Sequence, residues 1–162
     1  MPNPVNNIID LDLSFTEKKK FRFGHDDNRI VELNTSDMNI IARISDGYPK
    51  LTALQEQAAK LMDDVEFDTE DTTSVMTGIS TIAERLKTVD EAMRGLIDYM
   101  FDAPVSAVAA PDGSMYDPFN GSFRFEYIIT LLMNQYETNL KNEYSKMEKQ
   151  LTKHTAKYTK GG

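Results

Sequence analysis

The sequence has no cysteine and only two histidines, His25 and His154. The missing cysteines exclude disulfides, thiolate metal ligands and a cysteine nucleophile, and the two histidines are too far apart in the sequence to indicate a joint site. No apolar run approaches the roughly 20 residues that a membrane-spanning helix needs. The opening residues MPNPVNNIIDLDL lack the basic and apolar segments of a secretory signal. We therefore expect a soluble intracellular protein without membrane contact.

Positive charge is also scarce. The 18 lysines and arginines are outnumbered by 26 aspartates and glutamates, which gives a net charge of −8. A protein that binds duplex nucleic acid neutralises phosphates with a cationic surface, so this balance argues against a nucleic-acid partner. With 162 residues, 40% of them hydrophobic, the chain fits one domain with a modest core.

Motifs that carry chemistry are missing as well. The sequence contains no glycine-rich phosphate loop, nucleophile elbow or HExxH motif. The stretch HDD at 25–27 is interpreted as a hairpin turn, because adjacent residues in a turn seldom converge on one metal ion. The stretch DDVEFDTED at 63–71 lacks the central glycine and the final glutamate of an EF-hand loop, and is interpreted as an exposed acidic connection. We predict no catalytic residue, no metal site and no cofactor, and hence no enzymatic activity.

The N-terminal part has the alternation of an extended chain. Leu11, Leu13 and Phe15 alternate with polar residues, which predicts a half-buried strand. Two phenylalanines precede the turn sequence GHDDN and the apolar stretch RIVEL follows it, as in an antiparallel hairpin. Because an isolated hairpin is marginally stable in water, this β segment, assigned to residues 10–34, is predicted to pack on helices.

Residues 36–136 are predicted to be helical. A first helix is expected to start at a cap formed by Asn34, Thr35 or Ser36. It is expected to break or bend at the sequence DGYP, residues 46–49, because glycine suits a helix C-cap and proline restricts the residue before it.

A long apolar stripe follows between residues 74 and 100. Its members are separated by gaps of four and three, which is typical of one long helix packed lengthwise on another: Val75, Ile79, Ile82, Leu86, Val89, Met93, Leu96 and Met100. We expect this stripe to be buried against the last helix of the chain, which is predicted to begin near Ser122.

The last helix changes character along its length. Up to Tyr136 it is apolar on several sides, whereas residues 137–162 carry six lysines against three glutamates around a thin apolar stripe. We predict an α+β protein that is mainly α, with a small N-terminal antiparallel β-hairpin packed on a bundle of long helices and a protruding polar C-terminal helix. Residues 1–136 form its single globular domain, and 137–162 are a lysine-rich extension of the last helix.

The segment IDYMFDAPVSAVAAPDGSMYDPFNG, residues 97–121, interrupts the helices with turn-forming residues and aromatics. Tyr99 and Phe101 are expected to pack at the end of the long helix. Tyr116 and Phe119 either fold back onto the same core or form an exposed docking patch.

The order of these features resembles that of the tail assembly chaperones of long-tailed bacteriophages that infect Gram-positive bacteria. The residues that carry the resemblance are Asp37, which opens a helix containing Arg43, and the acidic-aromatic helix end IDYMF at 97–101. In that family the latter is commonly followed by glycine and a short second helix, whereas here Asp102 and Ala103 follow.

The resemblance implies a small acidic helical protein that performs no chemistry. It would bind the tape-measure protein and help to recruit tail-tube subunits in the cytoplasm of the infected host bacterium, and self-association is compatible with this role. The predicted partner-binding residues are the apolar groups that the core needs least: Tyr116, Phe119, Tyr144, Met147 and Leu151. The alternatives are a structural component, such as a head–tail connector or tail-completion protein, and an acidic regulatory module that binds another protein.

Overall fold

The computed structural model describes residues 7–14, 17–64 and 71–160, with side chains as far as residue 153. The elements in chain order are β1 Lys19–Arg22, β2 Ile30–Leu33, α1 Asn39–Asp63, α2 Thr72–Phe101, α3 Val105–Ala109, β3 Pro118–Phe119, β4 Ser122–Phe123 and α4 Arg124–Lys160. The predicted fold is confirmed. The protein is mainly helical, with a small antiparallel hairpin near the N-terminus that packs on the helices.

The β1–β2 hairpin is built as its turn residues predict. Gly24 and His25 both have a positive φ, of 61° and 55°, which the reversal of the chain requires. The Asp26 carboxylate accepts a hydrogen bond from the Asn28 main-chain N–H at 2.9 Å, and Asp27 pairs with Arg22 of β1 at 2.7 Å. Val31 and Leu33 of β2 are buried in the core, which attaches the hairpin to the helices.

The predicted strand around residue 12 is wrong for the part that the structure describes. Residues 7–14 contain no strand, and Leu11 and Leu13 are exposed; Phe15 lies outside the described residues. Asp12 has a φ of 28°, and its N–H donates to the Asp10 carboxylate at 3.0 Å, which is a local turn. Among the described residues β1 pairs only with β2, and an alternating pattern that has no neighbouring strand does not form a ladder.

The break predicted at residues 46–49 is also wrong. Helix α1 runs unbroken through this sequence with Pro49 inside it. Gly47 is buried, and a Cβ atom at this position would lie 2.8 Å from Cγ and 2.9 Å from Sδ of Met100 in α2. Glycine is therefore needed here for the close approach of two helices and not to end one of them. The predicted start of α1 at residues 34–36 is wrong as well. The helix begins at Asn39, and the Asp37 carboxylate accepts the Asn39 main-chain N–H at 2.9 Å.

The role of Gly47 can be tested with the same substitution at two positions. Gly78→Ala on α2 should stabilise the protein by about 0.5–1 kcal/mol, because its Cβ meets nothing within 4 Å and alanine is the better helix former. Gly47→Ala should instead destabilise it by about 1–3 kcal/mol through overpacking against Met100. Urea unfolding of both variants measures the difference. An equal gain in stability at both positions would contradict the close approach.

Residues 74–100 lie in one helix, α2, as predicted, but the partner of its apolar stripe differs from the expectation. Helix α1 lies alongside α2, whereas α4 meets α2 near its C-terminal end, where the rings of Phe101 and Tyr136 are 6.0 Å apart. The contact of Gly47 with Met100, and the groove that Leu61 and Val89 both line, show that α1 and α2 are antiparallel. Since α1 ends at Asp63, the first part of α2 extends beyond it.

The burial of the α2 stripe follows this geometry. Val89, Met93 and Met100 are buried, whereas Val75, Ile79, Ile82 and Leu86 are only partly buried. Helix α4 has a similar gradient in the opposite direction. Its buried side chains end at Asn139, and residues 141–153 are all exposed, so its second half protrudes as a polar helix.

Candidate protein-binding surfaces

The segment between α2 and α4 is docked on the body of the protein through Arg94 of α2. The Arg94 guanidinium donates to the carbonyl oxygens of Ser106 at 3.1 Å, Ala110 at 2.9 Å and Gly113 at 2.9 Å. Its Nε pairs with the Asp90 carboxylate at 2.8 Å, whose other oxygen accepts the Met115 main-chain N–H at 2.7 Å. Together these two side chains bind main-chain groups at four positions of the segment, which otherwise has little secondary structure.

Two further arginines bind the same segment from other elements. Arg29, next to β2, donates to the carbonyl oxygens of Val108 at 3.0 Å and Ala109 at 2.6 Å. Arg124, the first residue of α4, donates to the carbonyl oxygen of Asp112. Carbonyl groups that are partly buried need such partners, and three arginines together supply hydrogen bonds to six carbonyl groups of this segment.

The residues that carry the resemblance have structural roles at the start of α1 and the end of α2. Arg43 pairs with Asp37 at 2.9 Å and donates from Nε to the carbonyl oxygen of Met100 at 2.9 Å, which satisfies a carbonyl at the C-terminus of α2. Partial burial opposes ionisation of Asp37, but the hydrogen bonds from Asn39 and Arg43 outweigh it, so the pKa of Asp37 is lowered. Asp98 accepts hydrogen bonds from the N–H of Ser106 at 2.8 Å and from its hydroxyl at 3.1 Å, at the first turn of α3.

Burial also perturbs one tyrosine at this junction. Tyr136 of α4 is almost fully buried beside Phe101, and its desolvation raises its pKa to about 12. The phenol is therefore neutral over the physiological range. Tyr136 connects α4 to the end of α2 as a core residue.

An open cleft of about 480 Å³ lies between the hairpin turn, the end of α3 and the start of α4. Its walls are mostly aromatic and aliphatic, with two arginines and one aspartate, Asp112. Its main lining residues are Phe23, Arg29, Phe119, Arg124, Tyr127 and Leu131; we call it the aromatic cleft. Phe119 stands edge-on to Tyr127, with ring centroids 5.2 Å apart. Phe119 is presented by the β3–β4 turn, in which Asn120 and Gly121 have a positive φ of 49° and 77°.

The five predicted partner-binding residues fall into two separate regions. Tyr116 is partly buried against the core, whereas Phe119 is 46% exposed at the aromatic cleft. Tyr144, Met147 and Leu151 lie on the protruding half of α4 and are 53–66% exposed; we call them the distal stripe. Tyr127 at the cleft and Tyr144 are about 25 Å apart along α4, at 1.5 Å per residue, so one small ligand cannot bind to both regions.

Most residues of the aromatic cleft were not predicted from the sequence. Tyr127 and Leu131 are four residues apart on α4 and are 41% and 44% exposed. The excess of apolar residues around the first turns of α4 was the available signal, because a helix that is apolar on several sides has more than one face to cover. Arg29 and Arg124 could not have been found, because the loop carbonyls that hold them are distant in sequence.

Neither a cluster of metal ligands nor a membrane-spanning helix is present among the described residues. Over residues 7–14, 17–64 and 71–153, no three histidine, aspartate or glutamate side chains come together as metal ligands would. In the same part of the chain, no helix is long and apolar enough to cross a membrane. What this surface can do is bind apolar groups, at the aromatic cleft and along the distal stripe.

Comparisons with protein-family models, with curated proteins and with solved structures find no match to this chain.

Proposed function

We propose that this protein is a non-enzymatic tail assembly chaperone of a long-tailed bacteriophage. It binds the tape-measure protein in the cytoplasm of the infected host and assists the recruitment of tail-tube subunits. The observation that supports this proposal most is the distal stripe. Its three large apolar side chains are more than half exposed on a helix whose residues 141–153 are all exposed.

The distal stripe has the form of a surface that pairs with another helix. Its members are three and four residues apart, so they lie on one face of α4. An amphipathic helix that binds lengthwise contacts such a face through its own positions of the same spacing. A tape-measure protein is a long amphipathic helix whose apolar stripe must be shielded until the tail tube closes around it. The acidic charge of the rest of the chaperone keeps the complex soluble.

The aromatic cleft supplies a second contact region within this proposal. Phe119 and Tyr127 present exposed ring surface, and aromatic residues are enriched among the groups that dominate binding energy at protein interfaces. Tyr116 is the least available of the predicted binding residues, because it already packs on the core. It therefore offers a partner less free surface than Phe119 does.

The proposal is tested by co-expression with a fragment of the tape-measure protein that is insoluble alone. We expect the fragment to remain in solution and to co-purify. Changing Met147 and Leu151 together to alanine should weaken binding by about thirtyfold or more, since a hot-spot residue contributes about 2 kcal/mol. The melting temperature should hardly change, because these side chains contribute little to the core.

The matched control changes Ile41 and Met76 to alanine. These residues are 56% and 55% exposed, as Met147 is, but lie on α1 and α2. The two control substitutions should leave both co-purification and stability unchanged. If the Met147/Leu151 variant binds as well as the wild type, the distal stripe is a solvated helix face and has no part in binding. Finding the protein as a component of purified particles would favour a structural role over a chaperone.

A further inference from the structure

The N-terminal segment, residues 8–13, is an apolar stretch that the described structure does not cover. Ile8, Ile9, Leu11 and Leu13 are 71–83% exposed, which is more than any other large hydrophobic residue of the described chain. Two aspartates, Asp10 and Asp12, alternate with them. A contiguous exposed apolar stretch of this kind marks an interaction site. The two aspartates give it a negative charge.

The aromatic cleft has the opposite charge. Arg22, Arg43 and Arg94 each pair with an aspartate. In contrast, neither Arg29 nor Arg124 makes an ion pair with any carboxylate of the described residues, and both donate only to main-chain carbonyls. Asp112 also lines the cleft, so its two guanidinium groups outnumber its one carboxylate. The cleft therefore keeps an excess of positive charge in a chain whose net charge is −8.

We propose that the N-terminal segment of one copy of the protein binds in the aromatic cleft of a second copy. The isoleucines and leucines contact Phe119, Tyr127 and Leu131, while Asp10 and Asp12 approach Arg29 and Arg124. Both surfaces are apolar and their charges are opposite, which favours this pairing over contact of either surface with itself.

The direction of the chain favours binding of the N-terminal segment to the cleft of a second copy over binding to the cleft of its own molecule. Strand β1 begins at Lys19, whose ammonium donates to the Asn139 side chain at 2.5 Å, and it runs towards Phe23 at the cleft. Asn139 lies about 12 Å beyond Leu131 along α4, at 1.5 Å per residue. The segment that precedes β1 therefore enters at the end remote from the cleft. To reach its own cleft it would have to reverse and run back beside β1.

Reciprocal exchange of the two segments gives a closed two-fold dimer, because each copy donates one segment and accepts one. The two contacts form together, so each strengthens the other. The proposal is independent of the chaperone function, since it needs no partner protein. It adds a competitor at Phe119, so that any ligand of the aromatic cleft must displace the segment of the second copy.

The absence of cysteine allows a direct test with introduced thiols in the full chain. Leu11→Cys and Leu131→Cys are made as separate variants, one of them carrying a size tag, and the two proteins are mixed under mild oxidation. We expect a disulfide-linked heterodimer between the two variants. Leu11→Cys mixed with Met76→Cys is the matched control, since Met76 is exposed but lies on α2, and it should give much less product.

A second measurement tests the charges. Changing Asp10 and Asp12 to lysine alters only exposed side chains outside the folded core, and should weaken dimerisation in sedimentation equilibrium by about tenfold or more.

Three results would overturn the proposal. The first is a protein that stays monomeric at every concentration. The second is cross-linking of residue 11 to residue 131 that is no better than cross-linking to residue 76, and the third is a disulfide that forms only between two Leu11→Cys chains. A dimer that the two lysines do not weaken would remove the charge pairing on which the choice of partner rests.

Discussion

Replacing Arg94 with methionine is expected to lower the free energy of unfolding by about 3–5 kcal/mol, the usual effect of removing one partner from a buried ion pair. Arg94 and Asp90 are both mostly buried, so Asp90 would be left without its counter-ion. The carbonyl groups of Ala110 and Gly113 would also lose the Arg94 donor, and that of Ser106 would keep only the Ala110 main-chain N–H, at 3.0 Å. Methionine retains much of the aliphatic volume, so the loss comes from hydrogen bonds and charge.

The matched control for this prediction is Arg85→Met on the same helix. Arg85 is exposed, and such surface substitutions usually change stability by less than about 0.5 kcal/mol. Chemical denaturation gives both values, and hydrogen exchange of residues 104–115 should show whether the segment detaches from α2. A loss at Arg94 no larger than that at Arg85 would mean that the segment holds its place without the guanidinium.

Truncation of the α2 stripe is expected to have a position-dependent effect. Met93→Ala should lower the free energy of unfolding by about 2–5 kcal/mol, because it leaves a cavity at a fully buried position. Ile79→Ala should cost roughly 1 kcal/mol or less, because Ile79 is only partly buried. The two residues belong to the same heptad pattern, but Met93 lies alongside α1 and Ile79 lies beyond its end.

Chemical denaturation of the two variants at several protein concentrations decides this prediction. If Ile79→Ala is as destabilising as Met93→Ala, the first half of α2 is covered in solution. A concentration-dependent loss would then identify a second copy as the cover, because association shifts apparent stability by mass action. A loss that does not depend on concentration would instead contradict the gradient of burial along α2.

Local sequence determined the features that depend only on neighbouring residues. The turn between Gly24 and Asn28 forms because several successive residues there tolerate turn angles, and the hairpin followed from it. The single long helix of residues 74–100 followed from an uninterrupted spacing of three and four. The exposed second half of α4 followed from its lysines and glutamates, which cannot be buried without partners.

Tertiary contacts decided the features that local sequence described wrongly. The sequence DGYP is typical of a helix end, but in α1 the close approach of Met100 to Gly47 gives the glycine a packing role within a continuous helix. The alternation of Leu11 and Leu13 is typical of a strand, but no neighbouring strand is present among the described residues. A strand needs a second chain segment for its hydrogen bonds, whereas a turn or a helix satisfies most of them within itself.

The candidate site depended on tertiary structure more than the fold did. Phe119 was predictable as an apolar residue that a loop has little reason to hold, and Tyr144, Met147 and Leu151 as a thin stripe on a polar helix. The cleft at Phe119 was not predictable, because Arg29 comes from the hairpin and its carbonyl partners lie about 80 residues later. Periodicity reports which face of an element is apolar, but it carries no information on which distant segment will meet that face, and this is set by the packing of the whole chain.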